Sequence, residues 1–108
     1  MIIKNNNVST NDLGGGLRRK ILARGGKLMM VEVYFDKGGV GAMHSHPHEQ
    51  ISYIVKGTFE FNIEGKKDVV TVGDTVYIGS NVPHGVVALE DSLIVDIFTP
   101  QREDFLKM

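Results

Sequence analysis

From residue 17 onward the chain breaks into short segments rich in β-branched and aromatic residues, and nearly every break is a Gly, Asp or Asn. Residues 17–23 run into Gly25-Gly26, and residues 27–35 into Asp36-Lys37-Gly38-Gly39. Residues 50–56 and 59–63 flank Gly57-Thr58, and Glu64-Gly65-Lys66 follows. Residues 68–72 and 75–78 flank Gly73-Asp74, while 85–89 and 92–99 flank Glu90-Asp91. Short strands punctuated in this way predict an all-β fold, an antiparallel sandwich or barrel. No window of about 11 residues carries a helical 3.6 period. The 13 glycines among 108 residues fit many turns and little helix. Residues 1–16, with Asn5-Asn6-Asn7 and Gly14-Gly15-Gly16, read as a loosely held lead-in with room for one short strand, and residues 101–108 as a helical turn after Pro100. The length predicts one domain, 1–108.

Two strands alternate cleanly. Ile51, Tyr53 and Val55 share one face of segment 50–56, with Ser52 and Lys56 on the other, and Phe59, Phe61 and Ile63 share one face of the next. Alternation of period two places each set on one side of a sheet, and the apolar sets are expected to face the core.

Charge and composition narrow the function. Twelve Lys+Arg against 13 Asp+Glu, a net charge of −1, argue against nucleic acid as a partner. The chain has no Cys, which removes disulfides, thiolate metal sites and Cys nucleophiles. No apolar run approaches the roughly 20 residues of a membrane span, and Met1-Ile2-Ile3-Lys4 does not open an apolar leader, so the expected location is cytoplasmic.

All four histidines fall in two places: His44, His46 and His48 together, and His84 forty residues after the first. Residues i and i+2 of an extended chain share a face, so His44 and His46 can chelate one ion, and neutral imidazole suits divalent transition metals. Pro47 bends the chain before His48, which is expected at the rim and not as a ligand. Glu49 and Gln50 compete for a fourth place. Gln50 shares parity with the His pair. Glu49 shares parity with Ile51, Tyr53 and Val55, where an unpaired charge is costly. His84, after Pro83, reads alone as a turn residue unless the fold returns it to His44 and His46.

The stretch from Gly38 through His44-Ser45-His46-Pro47-His48-Glu49-Gln50 to Gly57 resembles the first motif of the cupin superfamily, G-x5-H-x-H-x3-4-E-x6-G, with Gln50 where most cupins carry Glu. Residues 73–88 resemble the second motif, G-x5-P-x-G-x2-H-x3-N. Gly73 and His84 match; Gly79, Asn81 and Ala88 replace the Pro, the Gly and the final Asn. The resemblance implies a cupin double-stranded β-helix, a jelly-roll-like barrel of six to eight strands. It implies one divalent transition-metal ion (zinc, nickel, manganese or iron) held by His44, His46, Gln50 and His84.

Fold alone does not give function. Asp96 interrupts the apolar segment Leu93-Ile94-Val95-Asp96-Ile97-Phe98 and shares a face with Ile94 and Phe98. It is either a solvated edge-strand acid or a carboxyl group lining a cavity, with Arg102 near the mouth. Phe98 reads equally as core. Arg18, Arg19 and Arg24 are further anion-binding candidates whose ordinary reading is solvated strand positions. The pattern D-x-F-x-P-x-R-x-D-F over residues 96–105 resembles the small cupins of the KdgF type, which act in pectin and alginate breakdown. That resemblance ties Asp96, Phe98 and Arg102 to catalysis. It implies a 4,5-unsaturated monouronate as substrate and its linear 5-keto-4-deoxyuronate as product. Such an isomerisation needs no redox cofactor. Two other readings stand beside it: a cupin metal dioxygenase, and a non-enzymatic sugar- or metal-binding cupin. Open sheet edges further suggest a homodimer.

Overall fold

The computed structural model describes residues 1–107. Ten strands follow one another: β1 (Asn11–Gly14), β2 (Leu17–Gly25), β3 (Leu28–Phe35), β4 (Val40–His44), β5 (Glu49–Lys56), β6 (Thr58–Ile63), β7 (Lys66–Thr71), β8 (Thr75–Ile78), β9 (His84–Ala88) and β10 (Ser92–Thr99). Two 3-10 turns, Asn5–Asn7 and Glu103–Lys107, are the only helical pieces among the described residues. The second lies within the expected C-terminal turn, whose last residue, Met108, falls outside the described residues. Among the described residues, no helix is long and apolar enough to cross a membrane.

The strands form two antiparallel sheets, β1-β2-β3-β10-β5-β8 and β4-β9-β6-β7. The all-β expectation holds, and the arrangement is the cupin sandwich, its two sheets facing each other without hydrogen-bonding into one closed barrel. The strand count exceeds the expected six to eight for two reasons. The lead-in contributes β1, paired to β2. The sequence Val40-Gly41-Ala42-Met43-His44, which has no alternation and weak β-formers at its centre, becomes β4 by pairing with β9.

Connections follow local chemistry. Glu64 and Gly65 both take positive φ, 53° and 87°, and join β6 to β7 as a two-residue hairpin. Gly57, at φ 83°, carries the chain from one sheet to the other, and a Cβ there would collide with Ser92.

Two apolar clusters fill the interior. Phe35, Ile54, Phe59, Phe61, Ile78, Ala88 and Ile94 form the larger, with Phe35 edge-on to Phe59 at 5.0 Å between ring centres. Met29, Val31 and Phe98 form the smaller, joined by the partly buried Phe105 and Leu106 from the C-terminal turn. A cavity of about 180 Å³ opens between them, touching Phe35 and Ile94 on one side and Phe98 and Phe105 on the other.

One orientation is the reverse of the expectation. On β5 the buried residues are Gln50, Ser52 and Ile54, while Ile51, Tyr53 and Val55 are exposed. The cavity supplies the cause: polar residues at one end of β5 line it or bond to groups that do, and the apolar set is carried to the outer surface.

Candidate metal centre and its cavity

His44 is the last residue of β4 and sits opposite His84, the first of β9, with ring centres 4.3 Å apart. Gly85 permits this closeness, because a Cβ there would lie 2.9 Å from the Gly41 carbonyl oxygen and 3.1 Å from the Met43 nitrogen. His46 lies beyond the end of β4, so loop geometry and not strand parity brings it in; its ring is 5.5 Å from His44 and 4.9 Å from His84. One ring nitrogen from each of the three lies within 4.8 Å of the others. The structure thus returns His84 to the other two.

The backbone sets which nitrogens meet. His44 Nδ1 lies 2.8 Å from the Ala42 carbonyl, His84 Nδ1 2.8 Å from that of Val82, and His46 Nδ1 3.0 Å from that of His48. A carbonyl oxygen only accepts, so each Nδ1 must carry its proton and donate. In the neutral ring each Nε2 then keeps its lone pair for a ligand. The His84 Nε2 is buried with no hydrogen-bond partner, as a metal-binding nitrogen would be. Burial, the largest cause in both cases, lowers the pKa of His46 and of His84 and favours the neutral form that binds metal.

Gln50 opens β5 facing inward, with Oε1 3.1 Å from His46 Nε2. Both atoms present lone pairs to the same region, the arrangement of two ligands of one ion. The amide orientation is fixed from behind. Gln50 Nε2 donates to Ser52 Oγ at 2.9 Å and to Asp96 Oδ1 at 3.3 Å, and Ser52 Oγ donates to Asp96 Oδ1 at 2.6 Å. A Glu at position 50 would set a second carboxylate against Asp96, where Gln supplies the N–H. Three imidazoles and an amide oxygen fit a divalent transition metal and leave its charge intact. Glu49 faces outward, accepting a 2.6 Å hydrogen bond from Tyr77. His48 is half-buried beside His46, outside the triad.

Asp96 lines the same cavity, placed beside Ser52 by the β10–β5 register. Burial pushes its carboxyl group up to about 6, while the bonds from Ser52 and Gln50 and the charge of Arg102 pull it down. Phe98 packs its ring edge-on to His46 at 5.8 Å and belongs to the smaller apolar cluster as well. Arg102 is buried, with its guanidinium 5.1 Å from the Phe98 ring centre. Asp104 accepts two hydrogen bonds from it, at 3.0 and 2.8 Å, and its own pKa is lowered by that partner.

Three residues of this region were not singled out as functional from sequence, or were read otherwise. Ser52 had a signal, its shared parity with Gln50. Arg19 had the same signal as Asp96, a charge on the parity of apolar neighbours, here Leu17 and Ile21. The solvated reading of Arg19 is corrected: it is buried and lines the cavity. Arg18 and Arg24 follow the solvated reading, bonded at the surface to Asp36 and Gln101. Phe105 joins the cavity from the C-terminal turn; it closes the pattern over residues 96–105, which gave it no role.

Residues 31–98 match the cupin domain family. The chain is 46% identical over 97 residues, 88% of each sequence, to the pectin degradation protein KdgF of Dickeya dadantii. It superposes on KdgF from Halomonas with a TM-score of 0.93 at 42% identity, covering 97% of both chains. An RmlC-like cupin from Shewanella frigidimarina gives the same TM-score at 39% identity, covering 96% of this chain and 94% of that one.

Proposed function

Since the chain belongs to the cupin family, on the branch of the KdgF pectin degradation proteins, we propose that it opens the ring of 4,5-unsaturated monouronates to give linear 5-keto-4-deoxyuronates. The observation that carries this reading is the lone acid Asp96, hydrogen-bonded through Ser52 and Gln50 to a neutral set of metal-binding groups within one sugar-sized cavity.

A divalent ion held by His44, His46, Gln50 and His84 supplies Lewis-acid polarisation of a substrate oxygen and attraction for an anion. Zinc, nickel, manganese and iron all suit that donor set. The remaining work falls to the chain. Breaking the bond between C1 and the ring oxygen turns the hemiacetal into an aldehyde, releasing the proton of the C1 hydroxyl. The C5 oxygen and the C4=C5 pair are left as an enolate, and a proton added at C4 yields the 5-keto acid. Asp96 as the carboxylate takes the C1 hydroxyl proton as the ring opens and then, as the acid, delivers it to C4, so the reaction is a net isomerisation. Its pKa, raised to about 6, makes the carboxylate a stronger base for the first transfer and its acid form a ready donor for the second. Arg102 binds the substrate carboxylate through Nη1, the guanidinium nitrogen that Asp104 does not engage. Phe98 covers the ring and excludes water.

The experiment supplies purified, metal-loaded protein with an unsaturated monouronate from a lyase digest and follows loss of its conjugated absorbance. Decay is expected well above the buffer rate, and it should fall with chelation and fall by about 100-fold or more in Asp96→Asn. Decay that is the same with and without protein overturns the proposal.

The protein is further read as a homodimer. Met30, Ile97, Ile51 and Tyr77 form an apolar row across β3, β10, β5 and β8 on the outer face of the larger sheet. Leu28, Tyr53 and Val55 extend it, all exposed. A second copy is the occupant the charge favours, because a chain of net charge −1 barely repels itself.

A further inference from the structure

We propose that Asp104, which lies outside the cavity, is a positioning residue: it fixes the guanidinium of Arg102 in the orientation that presents Nη1 to the substrate carboxylate. The inference rests on the ring-opening reading and adds to it a residue that does not touch the sugar.

Arg102 immediately precedes the turn Glu103–Lys107, and the Phe105 N–H donates to the Arg102 carbonyl at 3.0 Å. That turn folds Asp104 back beside the Arg102 side chain. The carboxylate accepts from Nε at 3.0 Å and from Nη2 at 2.8 Å, one oxygen to each. Two bonds along one edge fix both the position and the plane of a guanidinium, where one bond leaves it free to swing. Aromatic rings limit the motion that remains. Phe98 and Phe105 stand edge-on to each other, 5.7 Å apart at 88°. The central carbon of the guanidinium lies 5.1 Å from the first ring centre and 4.1 Å from the second.

The two partners occupy different sides of one wall. Arg102 lines the cavity with His44, Gln50 and Asp96, and it also lines an outer hollow with Ser45, Pro47 and His48. Asp104 lines the hollow but not the cavity. The edge that Asp104 grips therefore faces outward, and Nη1 is left to the cavity side. Two effects of the carboxylate compete. Its charge opposes an anionic substrate, but its side chain is 58% exposed, so water screens that repulsion. Its two bonds hold in advance a long side chain whose ordering would otherwise fall on binding. Short paired bonds outweigh a screened charge, so removing Asp104 weakens binding even though it removes a like charge. The hydrogen bond from Arg102 also lowers the pKa of Asp104, which keeps the grip ionised near neutrality.

The test compares wild type, Asp104→Ala and Asp104→Asn as zinc-loaded full chains. Glu103→Gln is the control, because Glu103 is exposed, one residue away, and its loss removes the same charge. Exchange of the Arg102 Nε proton with water, followed by NMR of the isotope-labelled chain, reads the grip directly. It should quicken at least about tenfold in Asp104→Ala, less in Asp104→Asn, whose amide keeps one acceptor oxygen, and not at all in the control. For the unsaturated monouronate, Asp104→Ala should raise KM about five- to thirtyfold while kcat changes by less than about threefold. Glu103→Gln should leave KM at or below the wild-type value. Unchanged proton exchange in Asp104→Ala, or a KM no higher than that of wild type, means that the carboxylate only offsets charge, and the assignment falls while ring opening stands. If wild type opens no unsaturated uronate, titration with D-galacturonate takes the place of KM. Weaker binding by Asp104→Ala than by wild type then keeps the assignment and sinks the reaction alone, while equal binding, or none, sinks both.

Discussion

β5 and β6 are consecutive in sequence and both alternate apolar with polar residues, yet they use the alternation in opposite senses. β6 turns Phe59 and Phe61 into the larger core cluster and sends Thr58, Glu60 and Asn62 outward. β5 buries Gln50 and Ser52 and sends Ile51, Tyr53 and Val55 outward. The periodicity of a strand identifies two faces; what lies on each side decides which face is buried. Beside β6 lies mostly packed hydrocarbon, with Phe61 also forming part of the apolar wall of the cavity. Beside the start of β5 lies a cavity lined by Gln50, whose amide bonds Ser52, and the apolar set faces outward, exposed.

That contrast gives three predictions of decreasing size. Phe59→Ala, at the fully buried ring of the β6 face, should cost about 3–5 kcal/mol in urea unfolding, the cost of removing a large buried ring. A loss below about 1 kcal/mol would mean the larger cluster is not the core.

The polar face should behave in the reverse manner. With its pKa raised from 3.8 to about 6, Asp96 is held protonated by the fold between those values while the unfolded chain has already released its proton. Stability from this group is therefore fullest below pH 4, falls as pH rises through 6, and stays reduced above it. In metal-stripped protein, Asp96→Asn should unfold with the wild type at pH 4 and be more stable by roughly 1–3 kcal/mol at pH 8. A variant less stable than wild type at pH 8 would show that the ionised acid stabilises the fold.

The smallest expected effect on the subunit belongs to the outer face of β5. Ile51→Lys should change subunit stability by no more than about 0.5 kcal/mol, as exposed positions do, while shifting the sedimentation of micromolar protein from two chains to one. A wild type that sediments as a single chain at the same concentration refutes the homodimer outright.

The sequence made the chemistry legible more readily than its surroundings. His44 and His46 stand out because imidazole is rare and their spacing is narrow, His84 reads alone as a turn residue and joins them only through the motif resemblance, and Asp96 stands out because an acid on an apolar parity demands a reason. The direction of β5 was hidden because alternation carries a period and no sign. Strand β4, which ends in a metal-binding candidate, was hidden because Gly41 and Ala42 carry no β signal and its order comes from β9. Arg19 was hidden because its burial depends on Phe105, in a turn near the far end of the chain. A local pattern could show that position 19 was unusual but not what it touches.

The three histidine rings are aimed by the carbonyls of Ala42, His48 and Val82. Every amino acid brings the same carbonyl, so no single-residue exchange at those positions deletes the acceptor. The aiming of the rings is written into the path of the main chain and is sheltered from drift at the codons beside them. Only a change of path can spoil it, such as an inserted or deleted residue between 42 and 48 or between 82 and 84. Tolerance to substitution and intolerance to length change in those two short stretches is the pattern this architecture imposes on its descendants.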